Sequence, residues 1–265
     1  MAHRDSALPG VDVLAHPAAA APREQGTWVV RAEGGREFTA RALMAVTGDY
    51  GTPHVPDLPG RAEYGGRILH AADYRTPEPF AGQRIVVVGG GNSSIQIAAE
   101  LGAVADVTLA TRRPIGWLPQ RPLGKNLHWW LAHTGLDVAP LSRWLHRLPV
   151  SVRDNGRWRR PRRAQRGSAG DVHPPRPRGV VWADGSAEVV DTVLQAIGYR
   201  PAFPYLTDSG TLDAQGRPVH RSGIATVPGL GFVGLEFQRS FSSKTLRGVD
   251  RDAAHVLARL RRQQS

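Results

Sequence analysis

The sequence predicts an α/β fold of the doubly wound, parallel-sheet type. Three observations carry that prediction. Residues 84–102, RIVVVGGGNSSIQIAAELG, run from a solid β-branched stretch through three glycines into a helical pattern. Residues 106–110 form a second apolar strand just after it. Two stretches, 27–51 and 179–200, share one layout: strand, glycine turn, strand, buried strand, glycine. Gly35 to Gly48 and Gly185 to Gly198 are each 13 residues apart, which marks an internal repeat.

Taken in order, residues 27–51 predict a β-hairpin turning near Gly34 and Gly35, then a buried strand ending at Thr47 and Gly48. Residues 52–82 are dense in Pro and Gly and read as a connector. Residues 84–101 predict strand, turn and helix, and 106–110 a strand. Residues 115–148 predict partial helix, with Trp and Leu at helical spacing that reads as core. Residues 152–178 are rich in Arg, Pro and Gly and nearly free of apolar side chains, which predicts an exposed, mobile loop. Residues 179–200 repeat the hairpin and buried strand, ending at Gly198. The chain thus divides into residues 1–50, 51–80, 81–200 with the basic loop 152–178, and 201–265.

Composition excludes several classes. There are no cysteines among the 265 residues, so disulfides and thiolate chemistry are excluded and a reducing cytoplasm is the expected location. No apolar run approaches the ~18–20 residues needed to cross a bilayer, and residues 1–22 lack the basic start and apolar block of a signal peptide. No membrane contact is expected. The net charge of +11 is almost all arginine, since Lys125 and Lys244 are the only lysines. The run RWRRPRRAQRG at 157–167 has one Trp and no interleaved aromatics, so nucleic-acid binding is not expected. The ten histidines show no HExxH or other metal spacing, and no metal is expected.

The chemistry is carried by the glycines. Gly89-x-Gly91-x-x-Ser94 follows a buried strand and opens a helix. In a dinucleotide-binding turn the first Gly permits the bend, the second lets a diphosphate reach the backbone, and the third position must be small for helix–strand packing. Asn92 and Ser93 are candidate helix caps, and the helix N–H groups and dipole attract phosphate. Gly89, Gly91, Asn92, Ser93 and Ser94 are therefore the candidate diphosphate ligands. The second strand reads out the ribose. An NAD site places a carboxylate about 20 residues past the first glycine. Here Thr111, Arg112 and Arg113 stand there, with Thr111 22 residues on. A guanidinium matches a 2′-phosphate by paired charge-assisted hydrogen bonds, which favours NADP(H) over NAD(H). Arg112 is the candidate for that role, with Thr111 beside it; Arg113, before Pro114, reads as a bystander.

Four segments then carry a family resemblance. YGGRILHAADY at 64–74 resembles the F-x-G-x-x-x-H-x-x-x-[YW] signature of flavin-containing monooxygenases, with Tyr64 for Phe. VTGDYGTPHVP resembles the A-T-G link of that family, with Val46 for Ala. QAIGYRP resembles its later A-T-G-Y, with Ile197 for Thr. The segment GLGFVGLEFQRSFSSKTLRGVDRDAAHVLARL resembles the C-terminal part of bacterial members. The resemblance spans residues 28–260, with 152–178 the weak part.

The resemblance implies a Rossmann-like flavoprotein with two dinucleotide-binding domains, the NADP domain inserted into the FAD domain. Residues 1–50 and 201–265 would belong to the FAD domain, and 81–200 to the NADP domain. The strand–GxGxxG–helix that opens the FAD domain is expected to be missing, so that residues 42–47 and 230–234 lose sheet neighbours. Thr47, Gly48, Gly198 and Gly234 would line the junction near the flavin. The implied cofactors are FAD and NADP. NADPH would reduce the flavin, which would add O₂ as a C4a-hydroperoxide and oxygenate a small molecule. No catalytic side chain is assigned, because the cofactor carries the chemistry. Two alternatives stay open: a flavin reductase or dehydrogenase of the same fold, and a non-catalytic NADP-binding fragment. His70 and Tyr74 read equally as shaping the NADP pocket and as packing. Asp250, Arg251 and Asp252 read as a solvated helix face.

Overall fold

The computed structural model describes residues 17–58, 60–112, 115–138, 150–153, 163–166, 179–182 and 184–264. The chain forms two compact units, one of Met1–Gly51 with Pro201–Ser265, the other of Thr52–Arg200. The second is inserted, in sequence, into the first.

The first unit begins with an antiparallel sheet of β1 (Ala18–Ala20), β2 (Arg23–Glu24), β3 (Thr27–Ala32) and β4 (Glu37–Ala40). β3 pairs with the other three. The 27–40 hairpin turns at Gly34 and Gly35 as the sequence predicts, with Val29 opposite Thr39. Trp28 is fully buried and anchors the core that also holds Leu206, Leu230 and Phe232. Next comes β5 (Leu43–Ala45).

The second unit is built on a five-stranded, fully parallel sheet. Its elements are β6 (Thr52–Pro53), β7 (Arg67–His70), β8 (Arg84–Val88), α1 (Asn92–Leu101), β9 (Asp106–Thr111), β10 (Gly116–Pro119), α2 (Leu127–His133), β11 (Val150–Arg153), β12 (Arg163–Arg166), β13 (Gly179–Val181), β14 (Ala187–Val189), β15 (Thr192–Gln195) and β16 (Tyr199–Arg200). The sheet order is β12-β9-β8-β15-β7. Ile85 to Val88 of β8 are buried on both faces, as a central parallel strand requires. Burying each such valine contributes about 1.5–3 kcal/mol relative to exposure. One face receives Ile95, Ala98 and Leu101 of α1, spaced at three residues, together with Phe80. The other is covered by Tyr64, Val180, Trp182 and Val190, from the connector and the β13–β14 hairpin.

Two expectations are corrected in this unit. The 115–148 stretch is helical in part, as predicted, but its helix α2 has only seven residues and buries none, so its Trp and Leu are not core there; residues 139–148 lie outside the described residues. Trp129 instead stacks on His133 at 4.0 Å, with the Lys125 ammonium 5.5 Å from its ring centre. The basic stretch 152–178 is not loop throughout. Val150–Arg153 pairs in parallel with β10, and Arg163–Arg166 forms the edge strand beside β9. The rest of it, with Arg113, lies outside the described residues.

The first unit resumes with β17 (His220–Arg221), β18 (Ile224–Ala225), β19 (Leu230–Phe232) and α3 (Val249–Arg262). β19 pairs in parallel with β5, Leu230 opposite Leu43, in the order β17-β18-β19-β5. The stretches 42–47 and 230–234 therefore have each other as neighbours, contrary to the expectation that both lose theirs. Of these two stretches, among the described residues, β19 is paired on both sides and β5 lies at the edge of its sheet. Val249, Ala253, Val256 and Leu260 form the apolar stripe of α3 and pack with Val233 and Met44. Asp252 departs from the expected solvated face. It is 2% exposed, and the Arg239 guanidinium donates to its Oδ1 at 3.1 Å. Asp250 and Arg251 are exposed.

Candidate functional site

The parallel register brings four strand ends level. Gln195 of β15 stands opposite Val88 of β8 and His70 of β7, and Val88 stands opposite Ala110 of β9. The residues that follow each strand therefore emerge at one edge of the sheet. In open parallel sheets this C-terminal edge is where ligands bind.

Gly89 to Gly91 form the turn from β8 into α1. Gly89 has φ +141°, and a Cβ there would lie 2.3 Å from the Ala196 carbonyl oxygen, so no other residue fits. Its N–H donates to the Ala110 carbonyl at 2.9 Å, tying the turn to β9. Gly91 is different. It is the N-cap of α1 in an ordinary extended conformation, and a Cβ on it would meet nothing within 4 Å. The fold does not require glycine there, and its bareness leaves open space over the helix N-terminus. The N-cap of α1 is Gly91, which has no side chain to offer, rather than Asn92 or Ser93, which stand exposed in its first turn. Ser94 is fully buried, and its hydroxyl donates to the Gly91 carbonyl at 2.7 Å, so it braces the turn from beneath. A glycine turn with open space over a helix N-terminus fits a diphosphate in shape and charge.

Arg112 is exposed just past the end of β9, and Thr111 is half-buried beside it. Across the turn, Gly198 follows β15. Its carbonyl accepts from the His54 N–H at 3.0 Å and from His70 Nε2 at 3.0 Å. The Ala72 N–H donates to His70 Nδ1 at 3.0 Å. Nδ1 is thus the acceptor and Nε2 the donor, which fixes the orientation of the ring. The ring meets Tyr199 edge-on at 5.2 Å. His70 thereby fastens the strand-end glycine to β7. Tyr74 packs on Phe80 and donates to Glu100 at 3.0 Å, away from the turn.

The sequence reading missed two residues at this edge, His54 and Arg200. Burial, then the charges of Arg200, His70 and Arg112, holds the His54 imidazole below the usual histidine range. Among the described residues neither Arg112 nor Arg200 has a carboxylate partner. A basic residue after a repeated glycine-ended strand, Tyr199-Arg200 beside Thr111-Arg112, is the signal that could have found Arg200.

In the first unit, Thr47, Gly48 and Gly234 lie past the ends of β5 and β19. A Cβ on Gly48 would be 3.5 Å from the Gly234 carbonyl oxygen, so the two strand ends meet closely. The Thr47 hydroxyl lies 3.3 Å from that of Tyr205. Asp49 accepts from the Glu236 N–H, and Lys244 pairs with the Glu236 carboxylate. Burial pushes the Asp49 carboxyl up, with the Glu236 charge adding to it. Among the described residues no strand of this unit turns through Gly-x-Gly directly into a helix. These described residues do not supply a second diphosphate cradle for a flavin. No helix among the described residues is long and apolar enough to cross a membrane.

Comparison with known proteins gives a consistent picture. The family model described as flavin-binding monooxygenase-like matches residues 13–135. The chain is 25% identical over 237 residues to an uncharacterized oxidoreductase, CzcO, of Bacillus subtilis, covering 84% of this chain and 66% of that protein. It is 30% identical to the indole-3-pyruvate monooxygenase YUCCA1 of Oryza sativa subsp. japonica, covering 87% of this chain and 64% of that one. The chain thus spans just under two thirds of these relatives. The solved flavin-containing monooxygenase from Stenotrophomonas maltophilia superposes with a TM-score of 0.73 at 27% identity, covering 94% of this chain and 71% of that one.

Proposed function

We infer that this chain, which belongs to the flavin-containing monooxygenase-like family, binds NADP(H) at the β8–α1 turn and serves the NADPH-dependent oxygenation of a small molecule by O₂. The fold is that of flavoproteins with two dinucleotide-binding domains. The observation that carries the reading is the pair formed by the bare Gly91 cradle and Arg112 at the end of the neighbouring strand. Gly89 shapes the turn, the first N–H groups of α1 face the diphosphate, and Arg112 takes the 2′-phosphate. A flavin would supply the oxygen-activating chemistry, and the described residues of this chain do not by themselves provide the cradle for its diphosphate. This chain's residues bind and orient the dinucleotide. The lack of cysteine fits work in the cytoplasm.

A second reading is a non-catalytic NADP-binding chain. The observation in its favour is that the described part of the first unit offers no diphosphate cradle of its own. The visible spectrum of the purified protein separates the two: the oxygenase reading needs bound flavin, and the binding-only reading predicts a colourless protein that still takes NADPH. For the site itself, Arg112→Ala is expected to weaken NADPH roughly tenfold or more, the value of a charge-assisted pair, and to leave NADH nearly unchanged. Equal losses for both dinucleotides would refute the assignment.

A further inference from the structure

His54 and Arg200 lie beside the strand-end Gly198, and among the described residues Arg200 has no ion pair. β16 carries Arg200 and pairs with Thr52 of β6, and the His54 N–H is held by the Gly198 carbonyl. Both residues are thereby brought to the C-terminal edge of the parallel sheet, on the β15 side of the glycine turn. Arg112 is on the β9 side. Among the described residues, the charged and titratable groups that act on the His54 imidazole are Arg200 from β16, His70 from β7 and Arg112 after β9, and none is a carboxylate. Like charges gathered without counter-charge cost stability. Such a cluster is compensated once an anion lies among its members.

We propose that Arg200 and His54 form a second arm of the dinucleotide site, gripping the diphosphate from the β15 side, and that the His54 imidazole takes up a proton as the dinucleotide binds. This rests on the reading of the turn as an NADP(H) site and adds to it a division of labour. Arg112 reads the 2′-phosphate and discriminates. Arg200 and His54 hold the phosphates common to NADPH and NADH and do not. Partial burial and the nearby guanidiniums of Arg200 and Arg112 hold the imidazole toward its neutral form in the free protein. A diphosphate among them reverses the local field, so the imidazole charges on binding. By linkage, affinity rises as pH falls through the histidine range.

Titration calorimetry on the full chain, near pH 6.5 in buffers of different ionisation enthalpy, counts the protons. NADH is the cleaner probe, because the 2′-phosphate of NADPH is a monoester that titrates near pH 6 itself, at about the value of other phosphomonoesters. The unmodified protein is expected to take up part of a proton per NADH. His54→Gln should abolish that uptake and remove the pH dependence of affinity. Arg200→Gln should weaken NADH and NADPH by a similar factor, roughly tenfold, in contrast to Arg112→Ala. Proton uptake that persists in His54→Gln overturns the inference and leaves the NADP(H) reading standing, as does Arg200→Gln binding both dinucleotides like the parent. A parent protein that binds neither dinucleotide overturns both.

Discussion

Replacing Gly91 and Gly89 in turn by alanine separates what the fold needs from what the ligand needs. At Gly91 a Cβ meets nothing within 4 Å, and φ −87° with ψ 177° suits any residue. The cost of alanine at an N-cap is then within about 1 kcal/mol, a melting shift of roughly 2–4 °C at this size. The methyl would stand in the space through which a diphosphate reaches the helix N–H groups. Losing charge-assisted bonds worth about 1.5–3 kcal/mol weakens NADPH on the order of ten- to a hundredfold. At Gly89 the outcome reverses. The Cβ would lie 2.3 Å from Ala196 O and 2.9 Å from its carbonyl carbon, at φ +141°. Backbone strain of about 1–3 kcal/mol adds to overpacking of about 1–3 kcal/mol. Gly89→Ala should therefore melt on the order of 10 °C below the parent. Thermal unfolding followed by tryptophan fluorescence, with NADPH titration on the same samples, reads both quantities. A Gly91→Ala protein that binds NADPH like the parent would refute the placement of the diphosphate. A Gly89→Ala protein that melts with the parent would refute the close approach to Ala196.

Three further outcomes follow from the packing. Arg239→Met strands the Asp252 carboxylate, whose Oδ2 already lacks a partner; because Arg239 is about a third exposed, a loss of about 2–3 kcal/mol is expected in urea unfolding, and the double change Arg239→Met with Asp252→Leu should recover most of it. Additive losses in that pair would refute the coupling. Tyr64→Phe removes a buried hydroxyl that donates to the Val190 carbonyl at 2.9 Å and should cost about 1 kcal/mol; an unchanged midpoint would count against that bond. Burial holds the His220 imidazole below its ordinary range, while its Nδ1 accepts from the Gly223 N–H. The unfolded chain then binds a proton that the folded protein refuses, so stability is full above about pH 6.5 and is lost as pH falls from there toward the folded value. The melting midpoint should drop between about pH 7.5 and 5.5, and by less in His220→Gln; identical pH dependence in both would refute the role.

What was legible in the sequence was what short-range physics controls. The β-branched run before Gly89, the helical spacing of Ile95, Ala98 and Leu101, and the two glycine hairpins each state their conformation within a few residues. The segments that misled are those whose local pattern is silent. Arg163–Arg166 has no apolar alternation, yet it becomes a strand because the free edge of β9 offers backbone partners. The Trp-rich stretch 127–133 looks like core but is too short to bury a face and stacks on its own His and Lys instead. Asp252, in a run of charges, is buried because Arg239, 13 residues upstream, lies within reach of it.

The sequence by itself determined the strand–turn–helix, the identity of the small residues within it, and the arginine 23 positions after Gly89. All of these depend on steric and charge requirements that act along one stretch of chain. Only the tertiary structure decided that Gly89 is compelled by the Ala196 carbonyl while Gly91 is not, and that the backbones of His54 and Arg200 are tied beside the end of β15 at the sheet edge where Arg112 follows β9. Those facts belong to the register of parallel strands joined across more than a hundred residues, and no local pattern encodes which strand ends will come level.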